Sequence, residues 1–237
     1  MTSTWKRLAS FVSTAQAPDT RRHPEQEMSA RHRLESLLEH PRIWRAGARP
    51  GPVRQALATG YRSLDQALAG GWPAASLNEL CVDTWGIGEL RLLLPALRAL
   101  TARPATGPAR WTMLVNPPYL PYAPALSAAG ISLAQLLVTR CREQGEVHWA
   151  MEQALYSGHC AAVLGWCEAA EPRRLRRLQL AAEASRAWAV LFRPARFRRQ
   201  RSPAALRMHL CPTPDRGIRI HIFKHRGGRP RQLVLHA

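Results

Sequence analysis

A chain of 237 residues, 46% hydrophobic and with eight tryptophans, can bury one sizeable core, which excludes wholesale disorder and leaves little room for a second full domain. Lys and Arg total 34 against 16 Asp and Glu, a formal net charge of +18. A field of that sign predicts attraction to polyanions or to an acidic protein partner. No apolar run reaches the roughly 18 residues that a membrane span needs. The five cysteines, Cys81, Cys141, Cys160, Cys167 and Cys211, form no CxxC pair and no Cys/His set with zinc spacing. They are expected to be reduced, buried thiols of a cytoplasmic protein with no metal.

In chain order, residues 1–40 read as a flexible tail with one short helix. Lys6-Arg7, Leu8 to Val12 and Ala15-Gln16-Ala17 outline a crude export signal, but Ser10 and Ser13 break its apolar segment. Ser29 can cap a helix through Leu34, Leu37 and Leu38 that stops at Pro41, after which Trp44 anchors a Gly/Pro/Arg linker. The core is placed at 41–194. Short, nearly all-apolar runs predict strands at Leu77 to Val82, Trp111 to Asn116, Leu136 to Thr139, Ala161 to Trp166 and Ala187 to Phe192. Helical segments fall between them at Glu89 to Thr101, Pro121 to Ala129, Val147 to Ser157 and Pro172 to Arg186. That alternation predicts an α/β fold with a mainly parallel sheet flanked by helices. From 195 to 237 the pattern changes to a basic loop and then to alternating strands. Leu206 to Leu210 and Ile218 to Phe223 read as an antiparallel hairpin, and Gln232 to Leu235 as a third strand.

Thr59-Gly60-Tyr61-Arg62-Ser63-Leu64-Asp65, then Gly70-Gly71-Trp72-Pro73 and Asn78-Glu79-Leu80, resemble the entry to the RecA core, where a phosphate loop follows the first strand. Such a loop uses glycines to expose N–H groups, a lysine for the phosphate oxygens and a hydroxyl for Mg²⁺. Here Gly86 and Gly88 remain in the segment, while the lysine position holds Glu89 and the hydroxyl position Leu90. The strand Ala162 to Trp166 ends without a magnesium-binding Asp, and Asn116 stands where recombinases carry the acid that orients water. Gly86, Gly88, Glu89 and Leu90 are therefore read as a degenerate nucleotide loop, with neither catalytic residues nor a cofactor.

Gly86-Ile87-Gly88-Glu89-Leu90-Arg91, Pro117-Pro118-Tyr119-Leu120-Pro121, Trp149-Ala150-Met151-Glu152-Gln153 and Phe192-Arg193-Pro194 resemble the ImuA family, related in outline to SulA-type proteins. The resemblance implies a RecA-like three-layer fold and a non-enzymatic accessory role in SOS-induced error-prone translesion synthesis. It also implies an ImuB-like Y-family polymerase homologue and an error-prone DnaE-type polymerase as partners, with RecA contact and self-association left open. A SulA-like division inhibitor that binds FtsZ and a divergent RecA-like DNA-dependent ATPase are the alternatives.

Between Arg173 and Arg201 lie ten arginines and a single acid, Glu183. Arg173, Arg174, Arg176, Arg177, Arg193, Arg196, Arg198, Arg199 and Arg201 are the candidate contacts for a partner or for DNA. No base-reading motif accompanies them, so DNA contact is expected to be sequence-independent. A solvated face in an arginine-rich chain is the competing reading. His148, His159, His209, His221 and His225 show no spacing that assembles a catalytic triad and are expected to be surface or core residues.

Overall fold

The computed structural model describes residues 56–102, 108–226 and 228–236. The expected tail, its helix and Trp44 lie outside the described residues. A two-stranded ribbon pairs β1 (Ala56–Leu57) with β2 (Trp72–Pro73) around a short helix, α1 (Arg62–Ala67). There follow β3 (Leu77–Val82), α2 (Leu94–Thr101), β4 (Trp111–Val115), α3 (Ala123–Ala128) and β5 (Leu136–Thr139). Next come α4 (Gln144–Tyr156), β6 (Cys160–Trp166), α5 (Pro172–Ser185) and β7 (Trp188–Pro194), then β8 (Leu206–Pro212), β9 (Ile218–His225) and β10 (Arg231–Leu235). The eight-stranded sheet runs β10-β9-β8-β3-β7-β6-β4-β5. Every pairing from β8 to β5 is parallel, and β9 and β10 are added antiparallel.

The parallel strands are nearly all apolar because helices cover both faces, and alternate side chains feed two cores. Leu80, Val82, Leu164, Trp166, Val190, Phe192, Met208 and Leu210 face one core with Leu92, Leu93 and Leu97. Leu77, Val163, Ala189 and Leu191 face the other, against Val147, Met151, Leu175 and Leu178 of α4 and α5. Trp72 and Trp188 pack with ring centroids 5.6 Å apart, and Trp166 stacks on Phe192 at 4.6 Å. Each large apolar side chain buried in this way contributes about 1.5–3 kcal/mol.

Three boundaries differ from the sequence reading for local reasons. The helix expected from Glu89 begins as a 3-10 turn at Arg91–Leu93 and becomes α-helical at Leu94, because Glu89 is turned inward and Pro95 suits a first turn. α4 starts at Gln144 rather than Val147, since the Glu146 carboxylate accepts the Arg142 N–H at 2.8 Å. The third difference is topological. β8 forms the expected antiparallel pair with β9, but its other edge lies parallel to β3, so the C-terminal strands continue the main sheet. Cys81, Cys160 and Cys167 are buried as expected, whereas Cys141 and Cys211 are partly exposed; none is in a disulfide.

At the end of β9 the His225 ring is buried, and neither ring nitrogen has a partner among the described residues. It lies against the backbone of Gly228, where a Cβ would meet Nδ1 at 2.2 Å. Burial, reinforced by the charge of Arg231, holds the His225 pKa below the ordinary 6.5. The unfolded chain then takes up this proton before the folded one does. The contribution is intact above pH 6.5 and is lost as pH falls through the interval below it. His225→Phe should therefore show a smaller loss of melting temperature between pH 7.5 and pH 5.5 than the parent; an equal loss would place the acid sensitivity elsewhere.

Candidate functional site

The carboxyl ends of the parallel strands share one edge of the sheet, the edge at which open α/β folds bind ligands. Asp83 to Leu90 leave β3 there, Asn116 to Tyr122 leave β4, and residues 195–201 leave β7. Gly86 and Gly88 have φ of 84° and 93°, the left-handed region that glycine enters without strain. The Gly86 N–H donates to both carboxylate oxygens of Glu89, at 3.1 and 3.2 Å, and Glu89 is only 4% exposed. A phosphate entering this turn would meet that carboxylate and find the Gly86 donor already used. Leu90 packs against the core, and Tyr119 lies over Gly86, where a Cβ would approach its ring at 3.1 Å. Asn116 holds the next loop, its N–H donating to the Thr139 carbonyl at 2.8 Å and its Oδ1 accepting the Cys141 N–H at 3.4 Å.

Beneath the same edge lies a buried ionic network that the sequence reading missed. Glu79 is fully buried in the middle of β3. Its carboxylate accepts Arg207 Nε at 2.8 Å and the Ser202 hydroxyl at 2.5 Å, with Arg193 Nη1 at 3.6 Å. Arg193 also donates to Gln200 Oε1 at 2.6 Å and stands 4.8 Å from the Phe197 ring centroid. Arg207 donates to the carbonyls of Gln200, at 2.8 Å, and Phe197, at 3.2 Å. Lys224 donates to the Ser202 carbonyl at 2.7 Å, and burial, with the positive charge of Arg207, holds its ammonium below the usual lysine range. The network thus fixes the 3-10 turn Ala195–Arg199 and the segment after it. The signal in the sequence was a charged residue in each of three mostly apolar strands.

The candidate arginines divide accordingly. Arg193 is 0% exposed, so its expected role as a surface contact is corrected: its register partner is Cys81 on β3, and it braces the rim from inside. Arg177 is ion-paired with Glu152 at 2.6 Å, and Arg174 donates to the Gly145 carbonyl at 3.3 Å. Arg173 and Arg176 are exposed on α5. Arg196, Arg198, Arg199 and Arg201 are exposed after β7, with Arg196 standing 3.9 Å from the exposed Glu168. Arg196, Arg198 and Arg199, together with Asp83 and Ala195, line an open depression of about 340 Å³. A shallow basic hollow of this kind can hold phosphate or carboxylate groups without reading their identity. His148 is buried with Nε2 3.4 Å from Cys167 Sγ, and burial raises the Cys167 thiol. Among the described residues, no helix is long and apolar enough to cross a membrane.

These features define an open, mainly parallel α/β domain whose glycine turn is closed by its own carboxylate beside an arginine-rich rim. The chain is 36% identical over 113 residues to the cell division inhibitor SulA of Edwardsiella piscicida, covering 48% of this chain and 67% of that protein. It is 29% identical over 218 residues to the protein ImuA of Caulobacter vibrioides, covering 81% of this chain and 86% of that protein. The crystal structure of SulA from Pseudomonas aeruginosa matches 52% of this chain and 99% of its own, at 27% identity and a TM-score of 0.42. No protein-family profile matches. The chain belongs to the ImuA/SulA-like family.

Removing Glu79 strands two guanidinium groups in the protein interior, a loss worth about 3–5 kcal/mol. Glu79→Ala should lower the unfolding free energy in urea by about that amount and loosen the backbone of the Arg196 to Arg201 segment, so that trypsin cleaves it faster under native conditions; unchanged cleavage would show that the rim is held by other contacts. Glu89→Ala removes the acceptor of the Gly86 N–H at an exposed position and should cost about 0.5–1.5 kcal/mol. Glu89→Gln, which keeps an acceptor, should recover part of that loss in the same urea titration.

Proposed function

We propose that this chain is a non-enzymatic accessory protein of SOS-induced error-prone translesion DNA synthesis, acting in the cytoplasm as an ImuA-type scaffold. The similarity to ImuA carries the reading, because it runs through 81% of this chain and 86% of that protein, whereas the similarity to SulA stops at 48% of this chain. In this reading the domain is a RecA-like core, and the turn at Gly86, Gly88, Glu89 and Leu90 is a former nucleotide loop. The internal bond from Gly86 to the buried Glu89 supports a core that neither needs nor welcomes a triphosphate. The partners are an ImuB-like Y-family polymerase homologue and an error-prone DnaE-type polymerase. Arg173, Arg176, Arg196, Arg198, Arg199 and Arg201 supply the basic contact surface, toward an acidic partner or toward DNA phosphates in a sequence-independent way. The division-inhibitor reading has its own support in the 36% identity to SulA.

Affinity isolation of the tagged full chain from DNA-damaged cells should recover the ImuB-like and DnaE-type proteins, and Arg196→Ala/Arg198→Ala/Arg199→Ala should weaken that recovery or flatten the salt dependence of binding to single-stranded DNA. Recovery of neither polymerase, together with inhibition of FtsZ polymerisation by the purified chain, would transfer the assignment to the division inhibitors. A thermal shift with ATP and Mg²⁺ would instead return it to the nucleotide-dependent enzymes.

A further inference from the structure

Asp83, His209 and Cys211 meet at the carboxyl ends of β3 and β8, where Asp83 also lines the basic depression. Their meeting follows from the register. His209 pairs with Cys81 and Leu210 with Val82, so one further step sets Asp83 beside Cys211. His209 and Cys211 are two residues apart on one strand and share a face. One ligand atom from each lies within 4.8 Å of the others. His209 Nε2 is 3.1 Å from Asp83 Oδ2, Cys211 Sγ is 3.5 Å from His209 Nε2, and Sγ is 3.7 Å from Asp83 Oδ2. A tetrahedral zinc ion with bonds of about 2.0–2.3 Å separates its ligand atoms by roughly 3.3–3.6 Å. The three observed edges, 3.1, 3.5 and 3.7 Å, lie within about 0.2 Å of one face of such a tetrahedron, so only small side-chain shifts would close it around an ion.

We propose that Asp83, His209 and Cys211 form a binding site for a divalent zinc ion, with a fourth position left to solvent. Nitrogen, oxygen and sulfur donors together suit zinc rather than calcium or magnesium, which take oxygen ligands. Binding deprotonates the Cys211 thiol and releases that proton to solvent, while His209 binds as the neutral ring and Asp83 as the carboxylate. One dication against one carboxylate and one thiolate leaves the occupied cluster neutral. That neutrality lets it sit beside Arg196, Arg198 and Arg199, which share the adjoining depression with Asp83. The side chain of Asp83 is 57% exposed and that of His209 11%, so an entry path reaches the cluster from solvent. The ion would tie the start of the glycine turn at Asp83 to β8. Zinc spacing was invisible in the sequence because 126 residues separate Asp83 from His209.

The test uses the full chain, stripped with chelator and titrated with Co²⁺ and then Zn²⁺. The expected result is one cobalt per chain with a thiolate-to-cobalt charge-transfer band, displaced by zinc, and a zinc-dependent rise in melting temperature. Cys211→Ser should abolish the charge-transfer band, and Asp83→Asn and His209→Gln should each weaken metal affinity at least about tenfold, the loss already produced by changes one shell further out. Asp83→Asn alters an exposed side chain, so its fold is checked by an unchanged metal-free melting temperature. Cys167→Ser, beside His148, should leave the band intact. Absence of the band in the parent chain, its survival in Cys211→Ser, or its loss in Cys167→Ser would each overturn the site.

Discussion

One buried carboxylate governs this edge of the molecule. Glu79 lies in the middle of β3 with no exposure, and its two oxygens serve Arg207 from β8, Ser202 from the preceding segment and Arg193 from β7. An ion pair in a protein interior gains little net stability, because desolvation offsets most of the attraction. Its value here is positional. Both arginines are strand residues, and their guanidinium groups reach Gln200 and Phe197 of the segment between those strands. The connection that carries Arg196, Arg198 and Arg199 is thereby held against the sheet by contacts that apolar packing, which lacks direction, would not supply. The same bonds explain how β8 sits beside β3, since Glu79 and Arg207 are register partners across that pairing.

The glycine turn is held by a second internal carboxylate. In a phosphate-binding loop the N–H groups wait for an anion, and an empty loop carries unpaired donors. Glu89 removes that need for Gly86, because the side chain returns to accept the N–H three residues before it. The glycines serve the backbone: positive φ at Gly86 and Gly88 forms the turn, and Tyr119 closes over the first of them. Positive-φ glycines can thus shape a turn whose donor is satisfied from within, which is why its glycines resemble a nucleotide site while its charge does not.

The strands were legible because a sheet covered on both faces demands near-continuous apolar runs, and the central strands Cys160–Trp166 and Trp188–Pro194, buried along almost their whole length, lie on such runs. What eluded the sequence depends on long-range pairing. Alternation in Leu206 to Leu210 shows a strand but not that its far edge lies parallel to β3, a partnership between residues 128 positions apart. Arg193 looked like a surface residue because arginine is seldom buried, and only the carboxylate on the neighbouring strand makes its interior position tolerable. Glu79 and Arg207 gave the matching clue, each a charge inside an apolar run. α1 is six residues long, too short for periodicity to reveal.

The placement of the acids also determines what the surface presents. The chain has 16 carboxylate side chains to set against 34 cationic ones. Near the carboxyl edge, Glu79 and Glu89 are buried and committed to internal donors, while Asp83 and Glu168 stay exposed, the latter 3.9 Å from Arg196. The two buried acids do not face the arginines above them, which leaves only Asp83 and Glu168, among the described residues, to offset that charge. The exposed guanidinium groups at Arg196, Arg198 and Arg199 outnumber the exposed carboxylates of Asp83 and Glu168 beside them, and they project their field from a backbone that the buried pairs keep in place. A basic loop on a mobile tether would lose that focus, since each encounter would first have to order the loop. Internal anions and an external cationic rim are thus two aspects of one arrangement, in which the buried carboxylates fix the loop and the rim keeps an excess of positive charge toward solvent.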